Sequence, residues 1–154
     1  MHPSTAVVSA NWMSWLAKAG IVVPLDFSEQ SLAALDVALS LARCPARLHV
    51  IHVLPNLTAQ EPGAIWEAVD DARRCQHAEG LLCKKLDDPK FNGVDIVVSV
   101  GDPGQQIADF AESVVADLVV LTSHGRTGLA RLLIGSVAER VVRLAHCPVL
   151  VLKS

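Results

Sequence analysis

A doubly wound α/β domain, with a five-stranded parallel sheet between two helical layers, is predicted by two features of this 154-residue chain. Short apolar runs alternate with helix-period patterns from Ile21 to the end, which implies right-handed crossovers between parallel strands. The runs themselves are close to continuous in Val, Ile and Leu, as expected of strands covered on both faces.

Each element follows from local chemistry. Ile21 to Leu25 reads as the first strand, with Pro24 at its C-terminal end, where a missing N–H does least harm. Ser28 is a candidate N-cap for a helix carrying Leu32, Leu35 and Leu39 to about Leu41, and Pro45 bars its continuation. Leu48 to Val53 forms the second strand. Pro55 to Pro62 is loop by composition, and a helical pattern with Val69, Ala72, Leu82 and Leu86 on one face runs from about Ile65 to Leu86. Asp88-Pro89 and Asn92-Gly93 punctuate its end, and Ile96 to Val100 is the third strand. Asp102, Pro103 and Gln105 then have capping-box spacing for a helix to about Ser113. Leu118 to Leu121 is the fourth strand. Ser136 and Glu139 repeat the capping-box spacing before Val137, Val141 and Leu144, Pro148 ends that helix, and Val149 to Leu152 is the last strand.

Size and composition narrow the function. The length fits one domain, and 51% apolar residues exclude global disorder. Thirteen basic and sixteen acidic residues give a net charge of -3, with no basic stripe or aromatic platform, so nucleic acid is not expected as a partner. No apolar run approaches the roughly 18 residues of a membrane span, so no membrane partner is expected. Cys44, Cys75, Cys83 and Cys147 form no CxxC pair and read as thiols in a reducing compartment. Cys75 and His77 are too few ligands for a metal site. Residues 1–19, with Trp12, Met13, Trp15 and Leu16, read as an amino-terminal extension packed on the domain or on a partner subunit, ahead of a domain over 20–154. Without a basic stretch before an apolar core they do not read as a signal peptide, and a cytoplasmic location is expected.

Candidate chemistry gathers at two places. Asp26 directly follows the first strand, where its carboxylate can accept hydrogen bonds from a ligand or tighten the turn. The stretch LVVLTSHGRTGLARLLIGS, from Leu118 to Ser136, is a strand that breaks into a glycine-containing loop and returns at a helix start. Such a stretch suits an anion, because exposed helix N–H groups favour phosphate. Gly125 and Gly128 either shape a turn or allow close approach. Ser136 either caps its helix or meets phosphate oxygens. Arg126 and Arg131 are candidates to neutralise charge, Arg126 being inside the loop, and His124 has no evident catalytic neighbours. The stretch lacks the lysine of a P-loop, and the first helix lacks the glycines of a dinucleotide fingerprint. If strand order reverses between the first and fourth strands, Asp26 and the Thr122 to Ser136 stretch face one crevice. Gly135→Val is expected to damage binding there more than folding.

These stretches together resemble the universal stress protein family over Ile21 to Lys153: VVPLDFSEQS its first strand and turn, IHVLP its second strand, and TSHGRTGLARLLIGSVAERVV followed by CPVLVLK its loop, helix and last strand. The resemblance implies strand order 3-2-1-4-5 and a homodimer formed through Val149 to Leu152. It also implies the nucleotide-binding branch, whose pattern is glycine, two residues, glycine, nine residues, glycine, then Ser or Thr. Gly125, Gly135 and Ser136 match it, and Thr122 stands at its first glycine. By the same resemblance Asp26 and Val53 surround adenine and ribose, Pro24, Leu25 and Leu121 line the pocket, and Gly125, Gly135, Ser136 and Val137 address ribose or phosphates. ATP with Mg²⁺, or else ADP or AMP, is the implied ligand. The implied role is that of a dimeric regulatory stress-response protein with little or no hydrolysis and an unknown protein partner. A weak ATPase using Asp26 or His124 and a nucleotide-free interaction module are the alternatives.

Overall fold

The computed structural model describes residues 20–57, 71–123 and 134–153. Five parallel strands, β1 (Ile21–Pro24), β2 (Leu48–Leu54), β3 (Asp95–Val100), β4 (Leu118–Thr122) and β5 (Val149–Leu152), form one sheet in the order β3-β2-β1-β4-β5. The helices are α1 (Glu29–Leu41), α2 (Asp71–Lys85), α3 (Pro103–Ser113) and α4 (Ser136–Leu144). The sheet and its 3-2-1-4-5 order are as expected. Each strand lies within a residue or two of its expected span, and Pro24 is the last residue of β1.

Side-chain alternation along the central strand divides the core. Ile21, Val23 and Leu25 point into a cluster with Leu35 and Ala38 of α1 and Leu82 of α2. Val22 points the other way, with Ile51 and Val119, onto Ile107 and Ala111 of α3 and Ala138 and Val141 of α4. Ile21, Val22 and Val23 are fully buried, which is why β1 reads as an unbroken apolar run. Burial of each such side chain contributes about 1.5–3 kcal/mol. The alanines on the inner helix faces let backbone and sheet approach closely.

The entrance to β1 is tied to the entrance of β4. Gly20 N–H donates to the Asp117 carboxylate at 3.0 Å, and Asp117 N–H donates back to the Gly20 carbonyl at 2.8 Å.

Helix starts follow the expected chemistry at α1, in part at α3, and depart from it at α4. Ser28 accepts from Ser31 N–H at 3.1 Å, capping α1. Asp102 accepts from Gln105 N–H at 2.9 Å, but the Gln105 amide turns outward to Asp109 at 2.7 Å, so only half of the capping box forms. At its other end α3 closes in a Schellman motif: Ala116 N–H donates to the Ala111 carbonyl and Val115 N–H to that of Glu112. Val115 occupies the left-handed position there, at φ 51°, where glycine is usual. The departure is α4. Its N-cap is Gly135, without a side-chain bond, and Ser136 is the first helical residue. The expected Ser136–Glu139 box therefore does not form; the helix starts one residue earlier, capped at Gly135, which is held by a tertiary contact described below.

Among the described residues no helix is long and apolar enough to cross a membrane. The extension over 1–19 and the expected helix start near Ile65 lie outside the described residues.

Candidate functional site

The strand order reverses between β1 and β4, and a cleft of about 250 Å³ opens beside the C-terminal ends of these strands. This is the general place for ligands in open α/β sheets, and the volume is near the lower end for small-molecule sites. Pro24, Leu25, Asp26, Val53, Leu121, Thr122, Gly135, Ser136 and Val137 all line it. Gly125, Arg126, His124 and Arg131 lie outside the described residues.

The floor is apolar. Ile51 and Val53 of β2, Leu121 of β4 and Ile107 of α3 contribute to it, and Ile51, Leu121 and Ile107 also belong to the core, so the surface is rigidly supported. Polar groups stand at the rim. Thr122 and Ser123 end β4, and Ser136 opens α4.

The turn after β1 is organised by Asp26. One carboxylate oxygen, Oδ1, accepts from Ser28 N–H at 3.0 Å and from the Ser28 hydroxyl at 2.5 Å. The side chain thus serves the turn and lines the cleft at once. Leu25 is held to β2 on both sides of its peptide. Its N–H donates to the Ile51 carbonyl at 2.9 Å, and its carbonyl accepts from His52 Nδ1 at 2.6 Å.

Across the cleft, Gly135 N–H donates to the Ser123 carbonyl at 2.7 Å, and a Cβ on Gly135 would lie only 2.6 Å from that oxygen. Two corrections follow. Gly135 N–H is already committed, so its amide does not address a phosphate. Its missing side chain makes room for the protein's own backbone, so substitution there disturbs folding as well as the cleft. The backbone φ of -57° is ordinary, and close approach alone requires the glycine.

The first turns of α3 and α4 both reach the cleft, through Pro103 and through Ser136, Val137 and Ala138. At α4 the unbonded N–H groups and the positive dipole end favour an anion; Pro103 offers no N–H, and α3 is already capped by the Asp102 carboxylate. The two helices are linked beside the cleft: Asp102, which caps α3, also pairs with Arg140 Nε of α4 at 3.0 Å. The aliphatic stem of Arg140 packs so near Gly104 that a Cβ at Gly104 would lie 2.6 Å from it.

Ser31, Ile51, His52, Pro103, Ile107 and Ala138 also line the cleft, although nothing in the sequence assigned them to it. Pro103 was legible as a helix start, and strand topology places every helix start after a strand near this edge. For a metal, Cys75 and His77 stay a pair on α2, and among the described residues no group of three or more His, Cys, Asp or Glu side chains could hold an ion.

The fold and cleft define a doubly wound α/β domain with a ligand crevice at its switch point. The family model of the universal stress protein family matches residues 20–153, and the chain belongs to that family. It is 38% identical over 138 residues to universal stress protein MJ0531 of Methanocaldococcus jannaschii, covering 86% of this chain and 81% of that protein. The solved structure of MJ0577 from the same organism superposes with a TM-score of 0.72 at 28% identity, over 88% of this chain and 96% of that one. A universal stress protein solved in complex with cAMP shares the fold, with a TM-score of 0.55 at 22% identity, over 88% of this chain and 97% of that one.

Proposed function

We propose that this protein binds an adenine nucleotide, ATP with Mg²⁺ or else ADP or AMP, and acts as a homodimeric, cytoplasmic regulator of a stress response with little or no hydrolysis. The observation that supports this most is the convergence, on one apolar-floored cleft, of the α4 N-terminus with Thr122, Ser136 and Asp26. An apolar floor suits a purine, and helix N-termini suit phosphate.

In this reading Pro24, Leu25, Val53 and Leu121 hold the base and Asp26 accepts from a base or ribose donor. Ser136 and the N–H groups of Ser136 and Val137 meet the phosphates, with Gly125 and Arg126 on the loop. Mg²⁺ would be carried mainly by the phosphates and water, its usual mode. Bound nucleotide supplies negative charge and a recognition surface, and the chain's residues hold it. Asp26 Oδ1 and His52 Nδ1 are both engaged in the turn after β1, which favours holding over turnover. Dimerisation is assigned to β5, an edge strand on which Leu150 is 36% exposed.

Calorimetric titration of nucleotide-stripped protein with ATP and Mg²⁺ tests the reading. Saturable binding near one ATP per chain is expected. A folded protein that takes up no ATP at millimolar concentration would refute it.

A further inference from the structure

The β1–β2 ladder ends where Pro24 pairs with Ile51, yet the chain stays tied to β2 for one more residue. Leu25 N–H donates to the Ile51 carbonyl, and the Leu25 carbonyl accepts from the side chain of His52, not from a strand amide. A carbonyl only accepts, so Nδ1 carries the proton in this contact. Two residues further on, Phe27 is in the left-handed region at φ 67°, a conformation an aromatic residue rarely adopts. Its ring meets the same imidazole edge-on, with centroids 4.8 Å apart and planes at 66°. One ring therefore grips the residue before Asp26 and the residue after it. Between them, Asp26 N–H reaches the Ser31 hydroxyl at 3.3 Å, and Oδ1 takes both donors of Ser28.

We infer that His52 is a positioning residue for the cleft, bracketing the Leu25–Phe27 turn so that the Asp26 carboxylate is presented to the ligand. The inference rests on the reading of the cleft as a nucleotide site. The imidazole replaces the ladder bond at the point where the chain must leave the sheet, and it braces the strained Phe27 backbone that aims the turn. Strain of this kind persists only where the surroundings enforce it.

Two substitutions separate the donor from the ring. His52→Asn keeps an N–H donor near the Nδ1 position, and His52→Phe keeps an aromatic contact for Phe27 but loses the donor. Amide hydrogen exchange at Ser28 in the ligand-free protein reads the turn, and calorimetry with ATP and Mg²⁺ reads the cleft. His52→Phe is expected to speed Ser28 exchange and weaken ATP binding about tenfold, the scale of leaving a carbonyl unpaired. His52→Asn, which keeps the donor but loses the ring contact with Phe27, should fall between the parent and His52→Phe in both. Asp26→Asn combined with His52→Phe should cost little more than Asp26→Asn alone, since both act through one carboxylate. Should His52→Phe fail to fold, His52→Leu, which also lacks a donor, carries the same expectations.

Unchanged Ser28 exchange in a folded His52→Phe protein overturns the inference, as does multiplication of the two single-variant losses. If the parent protein takes up no ATP, the nucleotide reading fails separately. Ser28 exchange then decides the positioning role alone: faster exchange in His52→Phe supports it, and parental exchange refutes it.

Discussion

Gly135 and Ser123 meet backbone to backbone, the amide of one donating to the carbonyl of the other at 2.7 Å, with no space for a side chain between them. Ser123 is also bonded through its own N–H to the Leu152 carbonyl at 2.9 Å. The end of β4, the end of β5 and the start of α4 therefore share one hydrogen-bonded corner at the rim of the cleft.

Gly135→Ala should destabilise the protein by about 1–3 kcal/mol, because a Cβ would displace backbone and not a compliant side chain. Urea unfolding of the two proteins measures it. Gly135→Val should lose more, and ATP affinity should fall together with stability. A Gly135→Ala protein with parental stability would contradict this account of the corner.

Val115 offers the opposite case. It is 78% exposed and holds the left-handed position of the motif that ends α3, so its side chain gains little burial in return for backbone strain. Val115→Asn should stabilise by about 1 kcal/mol, asparagine tolerating that conformation better than a β-branched residue. A higher melting temperature checks it.

Asp102 has two partners, the Gln105 backbone N–H and the Arg140 guanidinium. Asp102→Ala should cost about 1 kcal/mol through the lost cap. Arg140→Ala should cost less if only its half-exposed ion pair mattered, since such pairs contribute about 0–1 kcal/mol. Chemical denaturation of both variants and the double variant separates the cap from the ion pair.

In the homodimer proposed above, Leu150→Glu should convert dimer to monomer without unfolding it, because Leu150 is the exposed position of the β5 edge. Sedimentation equilibrium together with circular dichroism reads both properties. A variant that stays dimeric places the subunit contact elsewhere.

Much of this architecture was legible because its causes are local. Capping by Ser28 and Asp102, the boundary at Pro24 and the four apolar residues of β5 all depend on near neighbours in sequence. Most of the expected lining residues meet at one cleft because parallel strands deliver their C-terminal ends to one edge. What escaped depends on partners distant in sequence. Ser136 looked like a cap, and the start of α4 is set instead by the carbonyl of Ser123. His52 looked like one more strand residue, and its role depends on a turn 27 positions earlier. Gln105 had the right spacing for a capping box, but Asp109 on the next turn competed for its amide.

The reciprocal bonds between Gly20 and Asp117 join the entrances of β1 and β4 at the opposite end of the sheet from the cleft. The two ends of the same strands therefore do opposite work: backbone closes one upon itself, and the other leaves its groups for a guest.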